Sequence, residues 1–188
     1  MVSMIVRKTA LPDVLILEPT RHGDSRGFFS ESWNSRRMSE AGIEINFVQD
    51  NHSLSEATGT LRGLHFQSPP NAQAKLIRCG RGSLLDVAVD IRTGSPTFGQ
   101  WIAEVLSFEN GRQLLVPEGF LHGFLTREPM TEIVYKCSAF YDAASDGAVR
   151  WDSCGIDWGT NTPPLLSGKD ATAPPLSKFD SPFEWRAA

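Results

Sequence analysis

No segment of this sequence holds a 3.6-residue apolar period for long. Short β-rich runs recur instead, separated by Gly, Pro or Asn, and this cadence most constrains the fold. The runs are Val14–Glu18, Phe28–Trp33, Asn46–Asn51, Thr60–Gln67, Lys75–Cys79, Ser83–Asp90, Gly99–Ser107, Arg112–Pro117, Phe120–Thr126, Thr131–Ala139 and Ala148–Trp151. Between them fall Gly42, Gly59, Pro69–Pro70, Gly80, Gly82, Gly94, Pro96, Asn110–Gly111, Pro117 and Gly119. Strands with turns every 8–12 residues or so predict an all-β sandwich or barrel with a few short helices. The best helix is Asn34–Ala41, with Asn34 as N-cap and Gly42 as the stop. A chain of 188 residues buries roughly 70% of its unfolded surface, enough for a core without staples. No linker, repeat or low-complexity tract interrupts it, so the expectation is one domain over 1–188. The segment 163–188, rich in Pro and Ser, is expected at the surface with a short helix or none.

There are 18 Lys and Arg against 22 Asp and Glu, a net charge of −4. A protein that coats nucleic acid should be basic, so that class is disfavoured. An anionic ligand must be met by a few local Arg and Lys side chains. Cys79, Cys137 and Cys154 form an odd set with no CxxC spacing, which reads as free thiols in a reducing cytoplasm. The N-terminus lacks the apolar stretch of a secretory signal. No run approaches 18 apolar residues, so no membrane span is expected. Met4 offers a second start.

The four histidines are His22, His52, His65 and His122. Strict alternation over Thr60–Gln67 places Leu61, Gly63, His65 and Gln67 on one face, and Arg62, Leu64 and Phe66 on the other. Asp86 sits inside an apolar strand, where a carboxylate needs a partner. Gly63-x-His65 and Pro117-x-Gly119-x-x-His122 resemble the two motifs of cupins. A metal cupin adds a second His two residues after the first and then a Glu. Here position 67 is Gln67 and no Glu follows, so no metal is expected. His65 is left as a candidate acid–base group, against the competing reading of a hydrogen-bonded strand histidine.

Nine blocks then occur in order: DSRGFFSE (24–31), FVQDNHS (47–53), LRGLHFQ (61–67), AKLIR (74–78), DVAVDIR (86–92), GSPTFG (94–99), PEGFLHGF (117–124), YKCSAFY (135–141) and LSGKD (166–170). Together they resemble the dTDP-4-dehydrorhamnose 3,5-epimerase family from about Pro12 to Pro174. The resemblance implies a cupin-type jelly roll and a cofactor-free, metal-free enzyme, usually a homodimer. Its substrate would be a dTDP-4-keto-6-deoxyhexose inverted at C3 and C5. It implies His65 as base, Asp170 as its partner, Lys75 beside the keto oxygen and Tyr135 as proton donor. It further implies substrate contacts from Arg26, Phe28, Glu31, Gln49, Asn51, Arg62, His122, Phe124 and Tyr141. The Arg26 region would complete the site of the neighbouring subunit. The chain departs from the family pattern at Ala74, where Gly is common, and at Ser138–Tyr141, where an Asp is common. A C5-only or C3-only epimerase on the same or a related dTDP-4-keto sugar is the alternative these departures raise.

Overall fold

The computed structural model describes residues 4–186. Its strands are β1 (Met4–Lys8), β2 (Leu15–Pro19), β3 (Arg21–Asp24), β4 (Gly27–Ser30), β5 (Gln49–Ser55), β6 (Leu61–Gln67) and β7 (Lys75–Arg81). They continue with β8 (Ser83–Asp90), β9 (Trp101–Ser107), β10 (Gln113–Val116), β11 (Phe120–Thr126), β12 (Thr131–Cys137) and β13 (Asp146–Ala148). The helices are α1 (Ser35–Glu40) and α2 (Gly168–Thr172), followed by a 3₁₀ turn at Leu176–Lys178. A six-stranded sheet runs β1-β2-β10-β7-β12-β5 and faces a five-stranded sheet running β13-β6-β11-β8-β9, while β3 and β4 pair, among the described residues, only with each other. The two facing sheets form an all-β sandwich, one of the two architectures expected from the strand cadence, and the jelly roll implied by the resemblance.

Apolar residues pack in three layers. Between the sheets lie Val14, Ile77, Cys79, Leu84, Ala88, Leu114, Phe120, Phe124 and Ile133. On the outer face of the five-stranded sheet, Leu64, Val87, Val89, Leu121 and Leu125 pack with Trp158 and Phe183 from the C-terminal segment. On the outer face of the other sheet, Leu17, Leu76 and Leu115 receive Met38 and Ile43 from α1 and its exit. This explains the nearly continuous apolar run of β8. Leu84 and Ala88 face inward, Val87 and Val89 face the C-terminal cover, and neither side meets water.

The helix at 35–40 forms as its cap predicts. The Asn34 side chain accepts from the Arg37 N–H at 3.2 Å, and Gly42 turns the chain at φ +77°. Burying Met38 on the sheet contributes roughly 1.5–3 kcal/mol.

Some expectations move. The run at 28–33 becomes the short hairpin strand β4, and those at 46–51 and 148–151 shift to β5 and β13. β1 was not foreseen; it exists because Met4–Lys8 finds Leu15–Pro19 as an antiparallel partner. The C-terminal segment is more than a surface strap. Asp170, Ala173 and Phe183 are buried. The Thr93 N–H donates to the Phe183 carbonyl, and the Leu61 N–H donates to the Leu165 carbonyl.

Candidate active site

Strict alternation fails on β6, and the failure builds the site. His65 lies opposite His122 and Arg62 lies opposite Phe124, with the register shifting between the two pairs. Gly63 and Leu64 therefore oppose the single residue Gly123, the count of a β-bulge. The extra residue turns Arg62 to the same inner face as His65, while Leu61, Leu64 and Phe66 go to the outer layer. Gly63 permits this. Its φ is +137°, and a Cβ there would lie 2.6 Å from the Gly123 Cα.

One end of the space between the sheets is left open as a cavity of about 560 Å³. One sheet contributes Ser53, Lys75 and Tyr135; the other contributes Arg62, His65, His122 and Phe124. The segment Leu165–Ser167 and Asp170 close one side. A second cavity of about 580 Å³, which includes Arg127, Trp158 and Thr160, contains none of the candidate catalytic or substrate-binding residues.

His65 Nε2 bonds Asp170 Oδ1 at 2.5 Å across 105 residues of sequence. Asp170 is only 2% exposed. Burial pushes its carboxyl up. The His65 bond and charge, the Ser167 hydroxyl and the Gly63 N–H outweigh this and hold it below its ordinary range. The ring N–H therefore donates to a carboxylate, which leaves His65 Nδ1 for the cavity. The bulge glycine thus helps both to aim His65 and to anchor its partner.

The Lys75 ammonium makes no hydrogen bond or ion pair with the described residues. Burial lowers its pKa, and the more distant Cys137, Asp146 and Asp86 partly restore it. An ammonium kept short of partners is available to a ligand oxygen. Tyr135 is shifted the other way. Burial raises its phenol, as does Cys137, against the Asn51 amide and the Arg62 guanidinium. It therefore keeps its proton through neutral pH.

His122 Nε2 bonds Asp86 Oδ1 at 2.7 Å, which supplies the partner that the buried Asp86 required. Each of the two cavity histidines is thus engaged by one carboxylate. Among the described residues no three His, Cys, Asp or Glu side chains gather as a metal-binding set.

Six residues suggested by the resemblance are not among the lining of this cavity. Arg26 pairs with Asp24 at 2.5 Å on the exposed hairpin. Phe28 stacks beside Phe108 with ring centroids 5.6 Å apart, and Glu31 meets Arg37 at 2.7 Å. Asn51 lies across from Tyr135 in the β5–β12 ladder. Gln49 donates to Asn51 at 3.0 Å and accepts from the Tyr141 N–H at 2.9 Å. Tyr141 is itself exposed, with its hydroxyl 3.4 Å from Asp146. Conversely, Ser53, Thr60, Leu165, Leu166 and Ser167 line the cavity without having been singled out. Only Ser167 carried a readable signal. Ser167-x-x-Asp170 has capping-box spacing, and the Ser167 side chain accepts from the Asp170 N–H at 3.1 Å.

Residues 8–178 match the family model described as dTDP-4-dehydrorhamnose 3,5-epimerase. The dTDP-4-dehydrorhamnose 3,5-epimerase of Salmonella typhimurium is 54% identical over 178 residues, covering 93% of this chain and 97% of that protein. A Legionella pneumophila dTDP-6-deoxy-D-glucose-3,5-epimerase, solved with dTDP-4-keto-L-rhamnose, superposes with a TM-score of 0.94. It is 43% identical and covers 98% of this chain and 100% of its own. A 3'-monoepimerase from Streptomyces bikiniensis, solved with dTDP-quinovose, has a TM-score of 0.85 at 34% identity, covering 90% and 87%.

Proposed function

This chain belongs to the dTDP-4-dehydrorhamnose 3,5-epimerase family, and from that premise we propose that it inverts C3 and C5 of dTDP-4-keto-6-deoxy-D-glucose to give dTDP-4-keto-L-rhamnose. The observation that carries the reading is the meeting of four groups at one cavity: His65 backed by Asp170, an unpaired Lys75, and a protonated Tyr135.

The chemistry needs no cofactor. The C4 ketone acidifies the C–H bonds on both neighbouring carbons. His65 Nδ1 takes one of these protons, and Asp170 holds the ring and balances the imidazolium that forms. The electron pair of the broken C–H bond moves onto the C4 oxygen, where the Lys75 ammonium stabilises it. Tyr135 returns a proton to the opposite face of the carbon. Solvent then reprotonates the phenolate, and His65 releases its proton, so each inversion leaves the enzyme unchanged. The same set serves C3 and C5 in turn.

Arg62 suits the diphosphate, since a guanidinium fork matches phosphate oxygens. His122 and Phe124 line the sugar site. Asn51 and Gln49 bind the nucleotide with Tyr141. Arg26, Phe28 and Glu31 lie outside this cavity, on and beside a hairpin that pairs with no other strand among the described residues. We assign them to the cavity of a second copy in a homodimer. The free thiols suit work in the cytoplasm. No helix among the described residues is long and apolar enough to cross a membrane.

The test is NMR of the keto-sugar nucleotide with the protein in D₂O, with a 4-keto-reductase trapping the product. Deuterium at both C3 and C5, with L-rhamnose formed, is the expected result. Exchange and inversion at one carbon would make this a monoepimerase, as the Streptomyces bikiniensis neighbour is. No exchange by folded protein would overturn the reading. His65→Asn should lower kcat by about 10³-fold. Since it also takes the His65 bond from the buried Asp170, it should lower the melting temperature by several degrees as well.

A further inference from the structure

The mechanism above uses one of the two carboxylate–histidine pairs at the cavity. The other, His122 with Asp86, sits directly across the β6–β11 ladder from His65. Asp86 is 0% exposed and stands between Leu84 and Ala88 on the inward face of β8. Its Oδ1 takes the His122 bond, while its Oδ2 is buried with no hydrogen-bond partner. A carboxylate held this way is a poor choice for stability, because half of its hydrogen-bonding capacity is spent on nothing. Its one bond goes to a side chain that lines the cavity. The remaining nitrogen of that ring, Nδ1, has no hydrogen-bond partner among the described residues.

We propose that Asp86 is a positioning residue that acts through His122. By accepting the Nε2–H, it fixes the tautomer in which Nδ1 presents a lone pair to the cavity, so His122 selects a substrate with a hydroxyl on the hexose ring beside the reacting carbons. The assignment rests on the epimerase reading. It follows from the rule that the bond made by one imidazole nitrogen decides what the other can do. Lys75 and Tyr135 both offer protons to the cavity, and His122 Nδ1 offers an acceptor. A hydroxyl can donate to it, whereas a ring carbon stripped of that hydroxyl leaves the nitrogen unpaired. Sites built to bond a hydroxyl discriminate strongly against its absence. An amide at position 86 weakens this control, because its NH₂ can donate to Nε2 and so permit the Nδ1–H tautomer.

The experiment measures kcat/KM of wild type, Asp86→Asn, His122→Asn and the double variant on the keto-sugar nucleotide and on its 2-deoxy and 3-deoxy analogues. Exchange is read at C5, a position all three substrates share. Wild type should prefer the full substrate over at least one analogue by 10-fold or more. Asp86→Asn should lose about 10-fold on the full substrate and under 3-fold on that analogue. It should add nothing in the His122→Asn background. In ¹⁵N-labelled protein, the His122 Nδ1 signal should be that of an unprotonated ring nitrogen in wild type and gain N–H character in Asp86→Asn. If Asp86→Asn loses equally on all substrates, or adds its full loss to His122→Asn, Asp86 does not work through His122 and the proposal fails. Wild type that turns over both analogues as well as the full substrate also overturns it, and that result requires no variant to fold. If wild type exchanges neither C3 nor C5 of the full substrate, the epimerase reading itself fails, a separate outcome.

Discussion

Asp86 and Asp90 lie on the same strand, face the same way and are both 0% exposed. They are roughly 13 Å apart along the chain. Their surroundings are opposite. Asp90 Oδ1 accepts from the Arg92 backbone N–H at 2.9 Å and from Arg92 Nε at 3.0 Å. Its Oδ2 accepts from Arg92 Nη2 at 2.8 Å and from the Ser95 and Thr97 hydroxyls, each at 2.7 Å. Burial works against this carboxylate, and the donor set still holds its pKa below the ordinary range. Asp86 has one bond and one idle oxygen. The closed end of the sandwich therefore uses its buried charge to hold a turn together. The open end leaves part of its polar capacity unspent, beside a lysine without a partner. Unsatisfied groups mark where a ligand is expected, and satisfied ones mark where the fold is fastened.

This contrast can be broken at four points. The largest effect on stability should come from Asp90→Ala, which takes away two of the Arg92 guanidinium's three bonds, leaving the one to Asp13, and removes the acceptor of the Ser95 and Thr97 hydroxyls. A loss of about 3–5 kcal/mol is expected, seen as a melting temperature lower by roughly 10 °C. The folded fraction should keep kcat within about 3-fold, since the change is remote from the cavity.

Next is Asp170→Asn, which removes a charge-assisted bond and should cost about 2 kcal/mol in urea unfolding at pH 7. The folded pKa of Asp170 lies below its ordinary 3.8. Its contribution is therefore complete above that value and is lost as pH falls through the folded pKa. The gap between wild type and variant should close in acid.

Lys75→Met should act with the opposite sign. The folded pKa of Lys75 lies below its ordinary 10.5, so the unfolded chain holds that proton more tightly and wild type carries a penalty at neutral pH. The variant should gain about 1 kcal/mol, a gain that shrinks as pH climbs toward 10.5. Its kcat should fall about 10²- to 10³-fold.

The smallest change in stability should be that of Asp86→Asn, within about 1 kcal/mol of wild type. A loss as large as that of Asp90→Ala would erase the distinction between the two ends.

The sequence by itself determined the features whose causes are local. Turn residues between short β-rich runs specified an all-β sandwich or barrel, Asn34 specified the start of α1, and the polar residue in an apolar β8 marked Asp86 as needing a partner. Such signals depend on residues a few positions apart, and a period of two or a cap is visible at that range. His65 could be singled out as scarce chemistry on a strand. Its pairing with Asp170 came only through the family likeness, because Lys169–Asp170 read alone is a polar loop. Tertiary structure decided the rest. The bulge at Gly63 is set by the close approach of Gly123 on a neighbouring strand, and it moves Arg62 to the face of His65. The C-terminal segment delivers Asp170 because Leu165, Phe183 and Trp158 have places to pack and pair on the five-stranded sheet. These contacts join residues about 60 to 105 positions apart, and no local period records a partner at that distance.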